Sequence, residues 1–480
     1  MLALRMAISG RVQQVLAGDI GGFAAAVTTG DRSGISQNAL NALRASNLAH
    51  LLAISGLHMG LLAGFVFTAF RIGLALIPPL ALRLPTKKVA AGLALAAAAA
   101  YLLLSGGNVS TERAFVMAAV ALCAVMLERR AFSLRAVAFA AVIVLCLRPE
   151  ALMGPGFQMS FAATAALVAV FGWVRDAKIR LGPKWFRPIA AVVISSAVAG
   201  AATAPIGAAH FNTISHYGLL ANLLSVPLMG VLVIPAAVLA ACLAPVGLEF
   251  VGLWAMGLGL RWILGVATWV AGLDGARSYV PGPGVAVLPM MALGLLFVIL
   301  WQGRARWVGL APALAAVVLW VQVERPLALI ADTGGLVGVM TQQGRALSKS
   351  RGAGFIALNW LENDGDGGNQ EQAAARWEEG TDRAKTTHIG GVALTHLIGK
   401  KAAAAAADCV AGEIVVVSVT PDQAGPCQLL GPDQLRRTGS VALYHDQNGV
   451  RIITAKDITG ARLWNTPPKR RSKRFAKASD

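Results

Sequence analysis

The sequence predicts an all-α polytopic membrane protein of about ten transmembrane helices that ends in a small β-rich extracytoplasmic domain. Three observations carry this expectation. Of 480 residues, 56% are hydrophobic and only 14% charged, against roughly 25% charged in soluble domains. Apolar runs of about 18 to 25 residues recur between Leu48 and Trp320, each able to cross ~30 Å of hydrocarbon. The acids are also segregated: only six lie between Leu48 and Val323, whereas sixteen of the 24 follow from Glu324 onward. Composition therefore divides the chain into an N-terminal amphipathic extracytoplasmic segment (1–47), a membrane domain (48–323), a β-rich region (324–465) and a basic tail (466–480). A soluble enzyme, a fibrous chain and a disulfide scaffold do not fit. Of five cysteines, Cys123, Cys146 and Cys242 sit inside apolar runs as small hydrophobes. Cys409 and Cys427 lie in polar sequence, either bonded to each other on an oxidising side or free.

At the start, Arg5 and Arg11 interrupt the apolar stretch, which argues against a cleavable signal peptide. Leu16, Ile20, Phe23 and Val27 recur at helical spacing. They predict an amphipathic helix, lying on the outer membrane surface or packed on the membrane domain. Crossings are expected near 51–77, 89–105, 112–128, 131–147, 155–174, 188–209, 217–244, 250–272, 284–301 and 306–323. Connections after odd-numbered crossings carry 13 Lys and Arg, and those after even-numbered crossings carry 3, namely Arg113, Arg148 and Arg277. The positive-inside bias then places odd connections in the cytoplasm and both termini outside. Arg71 and Arg261, inside or near crossings, are cations that topology does not explain; each either meets phosphate or snorkels to the interface.

Beyond residue 324, strand-like runs stand at Leu327–Ile330, Leu336–Met340, Glu413–Val419 and Val441–His445. Asp332-Thr333-Gly334-Gly335 and Gln447-Asn448-Gly449 read as turns, and Ala402–Ala407 and Asp364–Gly368 as low-complexity loops.

Polar groups in hydrocarbon are costly unless paired, so a crossing that carries them does so for packing or for a pathway. The first crossing holds His50, Ser55 and His58, with Gly56, Gly60 and Gly64 at four-residue spacing. The glycines predict close approach of another helix. Ser55 and His58, at i and i+3, either bond neighbouring carbonyls or share a face along an aqueous path. A Ser/His hydrolase pair lacks any carboxylate placed to orient the imidazole. Further polar groups gather at the even-numbered connections: Arg113, Gln158 and Ser160, His210 and Asn222. Ordinary caps and turns explain them, for example Ser110 or Thr111 capping the third helix; discontinuous helices around a cavity explain them too. His388, His396 and His445 form no HxHxD cluster, so neither a metal site nor a catalytic residue is expected, and no cofactor. The six cations from Lys469 to Lys477 form either a solvated tail or a sequence-independent phosphate grip.

Gly30-Asp31-Arg32-Ser33-Gly34-Ile35, Asn47 through His58, Gly156-Phe157-Gln158-Met159-Ser160-Phe161-Ala162, and His210-Phe211-Asn212 with Asn222 to Pro227 resemble the ComEC family of bacterial competence proteins. The resemblance covers roughly residues 15 to 320. It implies a multi-pass inner-membrane channel that admits one strand of DNA during natural transformation. Implied partners are single-stranded DNA, the lipid bilayer, a periplasmic DNA receptor, a cytoplasmic DNA-translocating ATPase and further copies of the chain. His50, Ser55, His58, Arg113, Gln158, Ser160, His210 and Asn222 are then the candidate DNA pathway. Two departures stand out. Longer family members begin with membrane helices and an OB-like domain, and this chain starts about where that domain ends. Many also close with a metallo-β-lactamase-like domain whose HxHxDH signature is missing here, with Asp332-Thr333-Gly334-Gly335 as its remnant, so no nuclease is expected. Gly460-Ala461-Arg462-Leu463-Trp464 resembles the ends of members with such degenerate tails. Two rival readings remain: a secondary transporter of a small molecule, and a non-conducting remnant of the channel.

Overall fold

A computed structural model of the protein describes residues 1–378, 380–446 and 449–462. The basic tail and Leu463-Trp464 therefore lie outside the described residues. The chain forms two compact units, one from residues 1–278 and 288–315, the other from 279–287 and the chain from Ala316 on.

The first unit begins with α1 (Leu2–Val15), α2 (Gly18–Thr29) and α3 (Gln37–Ala45), the last capped by the Ser36 hydroxyl, which accepts from Ala39 N–H. These helices do not form a separate N-terminal domain. Phe23, Ala24, Ala25, Ala26 and Val27 of α2 are fully buried and share one core with Met256, Leu260 and Ile263. Of the two placements the sequence allows, the packed one is found. The run of alanines explains it, because small side chains let neighbouring helices close over every face of α2. Arg11 of α1 holds Glu249 at 2.8 Å across the unit.

Twelve further helices follow: α4 (Gly56–Ala75), α5 (Pro78–Arg83), α6 (Thr86–Leu104), α7 (Val109–Met126), α8 (Leu134–Leu147), α9 (Pro155–Asp176), α10 (Arg187–Phe211), α11 (Gly218–Leu228), α12 (Ile234–Leu243), α13 (Glu249–Ala271), α14 (Val287–Leu300) and α15 (Leu310–Val321). Pro227 carries no N–H to donate, and the chain between α11 and α12 widens into a π-turn at Met229–Val233. Eight spans are long and apolar enough to cross a membrane, with α11 to α12 counted as one; α8 and α14 have 14 residues each. At 1.5 Å per residue such a helix covers only about 21 Å.

Contacts at the helix ends nevertheless show that α8 runs between the same two rims as α7 and α9, and that α14 ends at one of them. Arg148, just after α8, binds Glu112 in the first turn of α7, and Arg113 of α7 binds Ser160 near the start of α9. At the other rim, Lys88 of α6 pairs with Glu128 past the end of α7, and residues 127–135, 172–176 and 299–306 surround one crevice. The segments from α6 to α9 therefore alternate between a polar rim and a cationic rim, and α14 ends at the cationic one.

In the second unit, strands β3 (Ala328–Ile330), β4 (Val337–Thr341), β5 (Gly344–Leu347), β10 (Val441–Asp446) and β11 (Gly449–Thr454) form an antiparallel sheet in the order β11-β10-β3-β4-β5; in the first unit and at its boundary stand two three-residue strands, β1 (Thr213–Ser215) and β2 (Arg277–Tyr279). A second sheet, β6-β7-β8-β9, comprises Ala384–Ile389, Val392–Leu397, Ile414–Val417 and Gln428–Leu430, with β7, β8 and β9 parallel. Ile330, Val337 and Val339 of one sheet meet Leu394, Ile414 and Val416 of the other in one core. All four strand-like runs of the sequence are strands. The run Ala402–Ala407 is a correction: it continues a short helix, Lys400–Ala403, into a 3-10 turn, with Ala403 and Ala406 buried against β8. Cys409 and Cys427 are joined as a disulfide with Cα atoms 5.5 Å apart.

Candidate functional site

The polar rim is built where α7 and α9 begin and α10 ends. Asn108 occupies the cap position of α7, not Ser110 or Thr111, which puts Glu112 in the first turn, where a carboxylate suits the helix dipole. Arg148 meets that carboxylate with Nε at 2.8 Å and Nη2 at 3.1 Å. The next residue, Arg113, donates from Nε to the Ser160 hydroxyl at 3.2 Å and makes no ion pair among the described residues. A Cβ on Gly156 would stand 3.2 Å from Arg113 Nη2, so the glycine leaves the guanidinium its place beside the first turn of α9. His210, at the last turn of α10, stands with Nε2 2.9 Å from Gln158 Oε1, and Gln158 Nε2 donates to Leu152 O at 3.0 Å. Arg113, Gln158, Ser160 and His210 are thus gathered around the start of α9.

The remaining candidates sit apart from that group. His50 lies in a 3-10 turn, Ala49–Leu51, and its Nδ1 is 2.9 Å from Asn47 O, so it is not on the crossing helix as expected. The crossing starts later because Leu48, Leu51, Leu52 and Ile54 are buried as a compact turn and Ser55 caps the helix. His58 is the third residue of α4; its Nδ1 accepts from Ser55 N–H at 3.4 Å and lies 3.0 Å from Ser55 Oγ, closing a capping box. The His58 ring is fully buried and its Nε2 has no partner among the described residues. Asn222 Oδ1 and Ser225 Oγ on α11 are likewise buried and unpartnered.

Gly56, Gly60 and Gly64 are a correction. All three are exposed, and an added Cβ would meet nothing within 4 Å, so they hold no helix of this chain close. Close approach occurs instead at Gly252 of α13, where a Cβ would stand 2.4 Å from Ala240 N of α12. Asn47 and Gly218 make a second close contact: Asn47 adopts φ +61, which asparagine tolerates, and a Cβ on Gly218 would fall 2.9 Å from its side chain. Arg71 and Arg261 are both exposed on their helices. Sequence reasoning passed over the Arg148–Glu112 pairing, Ser225, and Tyr101, whose hydroxyl donates to Val27 O at 2.5 Å and ties α6 to the end of α2. No spacing rule reaches across 74 residues.

The competence protein family matches residues 27–305, more than half of the 480 residues and a stretch that contains every residue of the polar rim named above. The chain belongs to that family. It is also 28% identical over 304 residues to the ComE operon protein 3 of Bacillus subtilis (strain 168), a match that covers 62% of this chain and 37% of that protein. No solved structure matches it. The family and the apolar helices make it a multi-pass protein of the bacterial inner membrane and of the competence class.

Apart from residues 279–287, the second unit lies outside the family match. The metal implied by a metallo-β-lactamase-like domain does not fit its residues. His388 and His445 are exposed on different sheets, while His396 is fully buried with Nε2 3.0 Å from Gly334 O. Among the described residues no three His, Cys, Asp or Glu stand together as a ligand set.

Proposed function

We propose that the first unit is an inner-membrane channel for single-stranded DNA in natural transformation, and that the polar rim is where the strand's phosphates are received. The observation that carries this is Arg113: a half-buried guanidinium with no carboxylate partner among the described residues, beside the first turn of α9, whose free N–H groups add positive potential. A structural arginine at membrane depth is normally matched by an acid, as Arg148 is by Glu112. An unmatched one next to a helix start is chemistry suited to a phosphate. His210 and Gln158 then hold α9 and α10 in register around it.

The orientation follows from charge. With 13 Lys and Arg on the odd connections against 3 on the even, the cationic rim faces the cytoplasm and the polar rim faces outward, with both termini. The disulfide in the second unit accords with an oxidising side. That unit carries no nuclease activity in this reading; a periplasmic DNA receptor and a cytoplasmic DNA-translocating ATPase would supply delivery and energy. Transformation of a strain deleted for the gene, complemented with this chain, tests the reading. Wild-type should restore transformants, and Arg113→Gln at equal abundance should lower them at least tenfold, with Arg113→Lys intermediate. Full transformation with Arg113→Gln would remove the basis of the proposal, and transport of a small molecule without transformation would favour a secondary transporter.

A further inference from the structure

At the cationic rim, the ends of α7 and α9, the start of α8 and residues 299–306 enclose an open crevice of about 1660 Å³. Its floor is apolar, with Val120, Ile143, Val168 and Ile299 among the side chains. Its edge carries large apolar groups left bare by the fold: Phe132 is 82% exposed, Phe139 63%, Trp173 59% and Trp301 53%. Five arginines line the same space, Arg129, Arg130, Arg135, Arg175 and Arg306. The acids there are Glu128 and Asp176, and each is engaged: Glu128 by Lys88 at 2.9 Å and Asp176 by Arg175 at 2.8 Å. Arg306 donates to Val298 O, whereas Arg129, Arg130 and Arg135 make no side-chain hydrogen bond or ion pair among the described residues.

We propose that this crevice binds an anionic phospholipid, its phosphate held by Arg129, Arg130 and Arg135 and its acyl chains laid along the apolar floor. The two halves of the site match the two halves of such a molecule. Basic pockets between transmembrane helices recognise anionic headgroups, and aromatic side chains settle at the interface between headgroup and hydrocarbon. A polynucleotide would find cations and aromatic rings at the edge, but the valine and isoleucine floor offers no hydrogen-bond partner to its sugars and phosphates, whereas acyl chains fit it. The crevice opens between side chains of α7, α8, α9 and the end of α14. The inference does not depend on the DNA reading, since it uses only the membrane location and the crevice.

The test uses the full chain in nanodiscs of equal phosphatidylglycerol and phosphatidylcholine, with native mass spectrometry of the lipid that stays bound after release. Wild-type protein should retain phosphatidylglycerol in preference to phosphatidylcholine. Each neutralised arginine should weaken retention roughly fivefold, and R129Q/R130Q/R135Q about a hundredfold. Val168→Trp, which fills the floor and leaves the arginines, should also lose the lipid while keeping the protein monodisperse. Equal retention of both lipids by wild-type, or unchanged phosphatidylglycerol in Val168→Trp, would overturn the proposal. So would displacement of the lipid by a stoichiometric single-stranded oligonucleotide, which would assign the crevice to nucleic acid.

Discussion

His210 Nε2 lies 2.9 Å from Gln158 Oε1 and so joins the last turn of α10 to the start of α9. Gln158 already donates its amide N–H to Leu152 O, which leaves Oε1 as the acceptor and requires the imidazole to donate from Nε2. His210→Ala removes the donor and leaves a half-buried carbonyl unpaired, a loss of about 1 to 3 kcal/mol. We expect a lower melting temperature in detergent and reduced transformation, with both partly restored by His210→Gln, which offers an N–H again. Unchanged melting of His210→Ala would show that the contact does not hold the two helices.

Ser55 and His58 separate a capping role from a functional one. Glutamine at the third helical position closes the same capping box, so His58→Gln should keep the protein at wild-type abundance, whereas Ser55→Ala should cost about 1 kcal/mol. If the buried, unpartnered Nε2 of His58 serves DNA passage, His58→Gln lowers transformation at normal abundance. Transformation at the wild-type level would leave His58 a capping residue only.

Two glycines give opposite outcomes. Gly60→Leu places its side chain in open space and should leave abundance within about twofold, because overlap is what makes such changes costly. Gly252→Leu drives a Cβ to 2.4 Å from Ala240 N and should abolish the folded protein in the membrane fraction. Immunoblotting of both variants decides it, and loss of Gly60→Leu protein would mean that a second chain packs on that face.

The contrast also shows what a sequence displays. Four-residue spacing of Gly56, Gly60 and Gly64 marks a smooth face but says nothing about whether a helix lies against it. Length and hydropathy located the spans, and even the 14-residue α8 was found, because apolar runs are a property of one segment. Segregation of acids announced the second unit, although the domain boundary falls near residue 316 and takes in residues 279–287 as well, a return of the chain that no composition shift reveals. Arg113, Gln158, Ser160 and His210 could be named from polarity at helix ends. Their pairing could not, since it depends on which helices are neighbours.

A buried ion pair in the second unit supplies a stability test. Arg345 and Asp364 are almost wholly buried and bonded to each other, and Arg345 also donates to Gly338 O at 3.1 Å and Pro326 O at 3.3 Å. Asp364→Ala leaves an uncompensated charge inside and should destabilise this unit by about 3 to 5 kcal/mol. Limited proteolysis of the full chain should then cut first between Ala316 and Arg462. Wild-type resistance would mean that water reaches Arg345.

His396 makes the second unit sensitive to acid. Burial pushes its imidazole down to about 4 from the ordinary 6.5, partly opposed by its bond to Gly334 O and aided by the charge of Lys349. Nε2 donates to that carbonyl, and Nδ1 is buried with no partner among the described residues, so a second proton would enter the core unsolvated. The unfolded chain takes up that proton below pH 6.5 and the folded one only below about 4. Stability is therefore full above pH 6.5, falls as pH drops from 6.5 to 4, and is level below that, a total of about 3 kcal/mol. His396→Gln keeps a donor for Gly334 and removes the titration. Hydrogen exchange of the β7 and β8 amides in the full chain, corrected for intrinsic rates, should lose protection toward pH 4 in wild-type and show a flatter slope in His396→Gln. Parallel slopes in the two proteins would place the acid sensitivity elsewhere.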